Sequence, residues 1–114
     1  MKLAVGAHTG TGTWLMQRAT AIVLSLALPG LTIHFMLAWP VDFAGWQALF
    51  APLWMRVLLL LTVLALALHA WVGVRDILMD YVHFTGLRLA LYLAVIITLA
   101  GSVAWLAAVL WSQA

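Results

Sequence analysis

Charge is absent from three long stretches of this chain. No Asp, Glu, Lys or Arg lies between Arg18 and Asp42, between Arg56 and Arg75, or beyond Arg88. Each gap holds a segment close to the roughly 20 apolar residues that a helix needs to cross the hydrocarbon of a bilayer. The segments fall at about 19–39, 56–74 and 89–111. A lone strand in lipid would leave its backbone unpaired. Runs such as LLLLTVLALAL and LALYLAVIITLAGSVAWLAAVL lack the polar alternation of a barrel strand. The sequence therefore predicts an all-α membrane protein with three transmembrane helices, forming a single domain over residues 1–114.

Composition supports this and removes other classes. Hydrophobic residues make up 68% of the chain and charged residues 7%, whereas globular domains are about half apolar and a quarter charged. A soluble chain of this size buries only about two-thirds of its surface, so the apolar excess needs lipid. A stand-alone soluble enzyme and a disordered segment are excluded. Five basic and three acidic residues are too few and too scattered for a nucleic-acid surface. With no cysteine, the chain by itself has no disulfide, thiolate metal site or iron–sulfur cluster.

Orientation follows from the placement of the basic residues. Lys2 and Arg18 flank the first span, and Arg75 and Arg88 flank the second connection, while the first connection offers Arg56 and carries Asp42. The positive-inside rule then places the N-terminus and the Arg75–Arg88 connection in the cytoplasm and the C-terminus on the outer, periplasmic side. Trp14 and Trp71 lie toward the inner interface, and Trp39, Trp46, Trp54 and Trp111 toward the outer one, as an aromatic belt or simply as packing residues. The N-terminal MKLAVGAHTGTGTW turns to Gly and Thr before a signal-peptide core can form and is expected as a cytosolic arm. Pro29-Gly30 falls within the first span, where a kink is expected.

Lipid should reject ionisable residues, so the histidines within the spans are informative. His8 belongs to the arm, His34 to the first span, His69 to the second and His83 to the cytoplasmic connection. Thr62, Ala65, His69, Gly73, Asp76 and Asp80 follow at steps of three or four and share one helical face. Small residues one turn either side of His69 leave room for a flat macrocycle with the imidazole as axial ligand. They equally suit close helix packing around a hydrogen-bonded histidine. A second axial ligand does not suggest itself within the chain, since His34 lies near the outer face and His8 and His83 in polar segments. If haem binds His69, the other ligand comes from a different chain. His34 itself is expected as an interfacial or helix-contact residue.

Asp80 and Tyr81 follow His69 by about eleven residues, at most about 17 Å of helix, where membrane meets cytosol. A tyrosine hydroxyl there can donate a hydrogen bond to a quinone carbonyl whose tail stays in lipid. An aromatic-belt tyrosine beside a loop aspartate is the plainer alternative. Arg18, at the inner end of the first span, serves as a topology charge or as a partner for haem propionates.

The segments QRATAIVL at 17–24 and HAWVGVRDILMDYVH at 69–83 together resemble the hydrophobic membrane-anchor subunit of succinate dehydrogenase. The most specific element is a histidine, three residues, a glycine, six residues and Asp-Tyr, matched here by His69, Gly73, Asp80 and Tyr81. The resemblance spans most of the chain, including its length, its three helices and their orientation. Gly73-Val74-Arg75 is also similar to the other anchor of that enzyme, of cytochrome b556 type. However, Asp76 stands where the cytochrome b556-type anchor has another histidine, its Ser-Pro-His opening is missing, and Asp80-Tyr81 favours the hydrophobic anchor.

The resemblance implies a subunit of respiratory complex II in a bacterial inner membrane, alongside a flavoprotein, an iron–sulfur subunit and the cytochrome b556-type partner anchor. It implies that His69 is an axial ligand of haem b, with the second supplied by that partner anchor. It also implies that Tyr81 donates a hydrogen bond to ubiquinone, supported by Asp80, and that Arg18 lies near the haem propionates or the quinone. The chain is then a non-catalytic part of an oxidoreductase, performing no succinate chemistry itself. Two alternatives remain open at this point, the anchor of a related fumarate reductase and a non-redox three-helix scaffold. Arg75 is expected to pair with Asp76 or a lipid headgroup.

Overall fold

The computed structural model describes the backbone of residues 2–112 and the side chains of residues 12–112. Among these residues the chain forms α1 (Lys2–Ala38), α2 (Phe43–Phe50), α3 (Leu53–Tyr81) and α4 (Thr85–Ser112). Three of them, over Gly12–Ala38, Leu53–Tyr81 and Thr85–Ser112, are long and apolar enough to cross a membrane. All three outrun the expected 19–39, 56–74 and 89–111. Arg18, Arg75, Asp76, Asp80 and Arg88 were natural places to end a span, but a charge ends only the lipid-compatible part of a helix. The backbone hydrogen bonding carries on into the interface.

The segment expected as an arm is also helical, since α1 begins at Lys2. Gly and Thr lower helix propensity but do not break a helix as proline does. His8 and Lys2 lie outside the described side chains. Pro29 removes the amide that would bond the Ser25 carbonyl, yet α1 passes through it without interruption. The longest dimension, 58 Å, matches about 55 Å for a helix of this length.

α2 was not expected. Its N-cap is Asp42, whose Oδ1 accepts a hydrogen bond from the Gly45 amide at 2.8 Å, and such a cap typically contributes about 1 kcal/mol. Pro52 then opens α3 in an extended conformation. At the other end Val82 leaves the helix, its amide still bonded to the Leu78 carbonyl at 2.9 Å. Residues 82–84 form a short link into α4.

α3 packs against α1 on one side and α4 on the other, so the long helices form one antiparallel layer. The register is fixed by contacts along its length: Thr13 with Arg75, Thr20 with His69 and His34 with Trp54 between α1 and α3, and Trp71 with Tyr92 between α3 and α4. Met55, Thr62, Ala65 and Val72 are the buried residues of α3, at spacings close to a heptad. Thr20, Leu24 and Leu31 on α1 and Leu110 on α4 are also buried, and much of the described remainder is exposed. Leu26, Leu37, Ile97 and Trp105 are all at least two-thirds exposed, a surface that only lipid or other subunits can cover.

Candidate functional site

His69 sits mid-way along α3 at the seam with α1, where its Nδ1 lies 3.0 Å from Thr20 Oγ1. Thr20 is itself buried, 7% exposed. The same Oγ1 is 2.8 Å from the Met16 carbonyl and 3.1 Å from the Gln17 carbonyl. Neither carbonyl carries a proton, and the hydroxyl has one to give. Donating it to Met16 O closes the usual bond of a helical threonine to the preceding turn. The imidazole contact is then made with Nδ1–H as donor and Oγ1 as acceptor. This tautomer, assigned from the hydrogen-bond network, leaves the lone pair of Nε2 free.

His69 also borders an open groove of about 370 Å³ lined on α1 by Ala21, Leu24, Ser25, Leu28 and Pro29. Ala21 and Ser25 are the small side chains that allow a flat group to approach. One turn along α3, no described atom beyond the local helix lies within 4 Å of where a Gly73 Cβ would sit. The stripe inferred from the sequence is thus covered at Thr62 and Ala65, half-covered at His69 and Gly73, and exposed at Asp76 and Asp80. An imidazole whose Nδ1 is engaged by Thr20, with Nε2 left for a ligand beside a groove that includes Ala21 and Ser25, fits an axial haem ligand.

Among the described residues nothing completes such a site. His34 lies fourteen residues from Thr20 along α1, about 21 Å of helix rise. It is edge-on to Trp54 at 5.8 Å and to Phe35 at 5.6 Å, a helix-contact histidine as expected. His83 is exposed in the link between α3 and α4. Among the described residues no three His, Cys, Asp or Glu side chains gather as a metal site.

The remaining expected site residues are spread out. Asp80 is exposed and Tyr81 is 78% exposed at the last turn of α3, which is continuous from His69 and so separates them by about 17 Å. Arg18 is exposed, with its guanidinium 5.0 Å from the centre of the Trp14 ring. Two positions from Thr20, it projects from a different side of α1. Among the described residues no hydrogen bond, ion pair or ring contact joins Arg18, Asp80 or Tyr81 to His69.

Arg75 pairs with Asp76 at 3.5 Å and also donates to Thr13 Oγ1 at 3.2 Å. Its Nε and the Gln17 Oε1 are buried without a hydrogen-bond partner among the described residues. Thr13 was not singled out from the sequence, and Gln17 and Thr20 entered only within the QRATAIVL segment, with no role of their own. The available signal was their i, i+4, i+7 spacing, a polar stripe on the first helix facing the one that carries His69.

A membrane protein of three long helices with a histidine, His69, at the seam of two of them is the class defined by this geometry. The chain matches, over residues 2–109, the family described as succinate dehydrogenase/fumarate reductase transmembrane subunit. It is 31% identical over 102 residues to the succinate dehydrogenase hydrophobic membrane anchor subunit of Coxiella burnetii, covering 90% of this chain and 89% of that one. The chain belongs to the succinate dehydrogenase/fumarate reductase transmembrane subunit family. It is a membrane-embedded anchor subunit, as the QRATAIVL and HAWVGVRDILMDYVH segments led one to expect.

Proposed function

We propose that this chain is the anchor subunit of a succinate:ubiquinone oxidoreductase, supplying one axial ligand of haem b and part of the quinone-reducing pocket. The observation that carries the reading is the Thr20–His69 contact, which leaves Nε2 as a free donor beside a groove. The partner anchor, of cytochrome b556 type, would supply the second histidine. The flavoprotein and iron–sulfur subunits dock at the cytoplasmic face. The setting is the bacterial inner membrane, with the N-terminus inside and the C-terminus in the periplasm.

In this arrangement haem b, when bound, supplies a one-electron redox centre within the membrane. The chain's own contribution is placement. His69 would hold the iron, and Arg18 at the inner end of α1 would offer a charge to the propionates or the quinone. Tyr81 and Asp80, exposed at the interface, are placed to meet a quinone headgroup whose tail lies in lipid. There the Tyr81 hydroxyl donates a hydrogen bond to a quinone oxygen and Asp80 orients that hydroxyl.

Two substitutions test this. His69→Ala complex is expected to lose the b-type absorbance, and an unaltered spectrum would remove His69 as ligand. Tyr81→Phe is expected to slow succinate–quinone reductase activity up to about tenfold, the cost of one hydrogen bond. Succinate oxidation by a soluble dye should stay intact, and undiminished quinone turnover would contradict the role of Tyr81.

A further inference from the structure

We infer that Thr20 is a positioning residue for His69. Its hydroxyl oxygen accepts the Nδ1 proton, fixes the tautomer with Nε2 as donor, and raises the electron density that Nε2 offers to iron. The inference rests on the reading of His69 as a haem ligand and extends it to a residue on a different helix.

Three features set this contact apart from incidental packing. The hydroxyl is held on two sides, at 2.8 Å from the Met16 carbonyl and 3.0 Å from the imidazole, so its rotor is not free. Its β-branched side chain is restricted by its own helix, which aims an acceptor lone pair at α3. Thr20 is buried in a seam of a membrane-spanning helix, where water does not compete for the imidazole proton. An acceptor on the far nitrogen of a ligating histidine makes the ring a stronger donor, and hydrogen bonding around the ligand is one way a protein sets a haem potential. A stronger donor favours ferric over ferrous iron, so the Thr20 hydroxyl lowers the potential.

The test uses the purified whole complex with Thr20→Val, which keeps shape and removes the hydroxyl, and Thr20→Ser, which keeps the hydroxyl. The readout is the haem potential, measured by stepwise one-electron reduction of ferric to ferrous iron with dithionite, and does not depend on turnover. Thr20→Val is expected to shift the equilibrium toward ferrous iron by up to tenfold, about 59 mV upward for one electron. Thr20→Ser should match the wild type. Loss of haem from Thr20→Val with retention in Thr20→Ser also supports a hydroxyl requirement. An unchanged or lowered potential in Thr20→Val overturns the inference, as does equal disturbance by both variants, which would point to the threonine methyl. A wild-type complex without haem would instead defeat the underlying reading of His69.

Discussion

The two seams of α3 are made largely of leucine, alanine and valine, yet they differ in what they leave unfinished. Against α4 the contact is apolar, with Trp71 edge-on to Tyr92 at 5.6 Å and an open groove of about 620 Å³ lined by residues such as Leu64, Leu68, Leu99 and Ala104. Against α1 the contact includes Thr20, His69, Thr13 and Arg75, with Gln17 Oε1 and Arg75 Nε buried and unpartnered among the described residues. Lipid is as apolar as leucine, so an apolar seam needs only shape. A polar seam needs partners for its donors and acceptors, which makes it the more specific of the two.

The contrast is sharpest at alanines. Ala65→Leu would force bulk into the buried α1–α3 seam, part the helices and separate Thr20 from His69. We expect a loss of about 3 kcal/mol, at the upper end for overpacking, with a weakened haem spectrum. The same change at Ala104, which is exposed on α4, should stay within about 0.5 kcal/mol. Equal effects at the two sites would erase the distinction between the seams.

Met55, at 1% exposure the most buried side chain of the same seam, comes next. Met55→Ala should cost about 2 kcal/mol through the cavity left behind, read as a lowered unfolding midpoint of the solubilised complex. Its distance from His69 along α3, about 21 Å, should leave the haem spectrum unaltered. A smaller loss than at Met55 is expected for Trp71→Leu, which removes an aromatic pair worth about 1 kcal/mol while leaving the haem potential in place. A shifted potential in that variant would mean that the α3–α4 seam also controls the site.

The spans were legible because lipid imposes them residue by residue: a charge-free run of the right length has few other fates. Their ends were not, since Arg18, Arg75, Asp80 and Arg88 mark the limit of hydrocarbon rather than of hydrogen bonding. α2 was hidden by its brevity, although Asp42 ahead of FAGWQALF is a capping signal. His69 stood out by its cost in lipid. Its partner did not, because sequence fixes depth along one helix but not the register between two, and Thr20 becomes informative only once α1 and α3 are set side by side. Asp80-Tyr81 was legible as a motif, and it lies exposed at the last turn of α3.

The most direct test is the low-temperature EPR and reduced-minus-oxidised absorbance of the purified complex, with haem counted against this subunit. One low-spin b-type haem per chain is expected, with the signature of two imidazole ligands. A complex that retains its flavoprotein, iron–sulfur and partner-anchor subunits yet carries no such haem would contradict it.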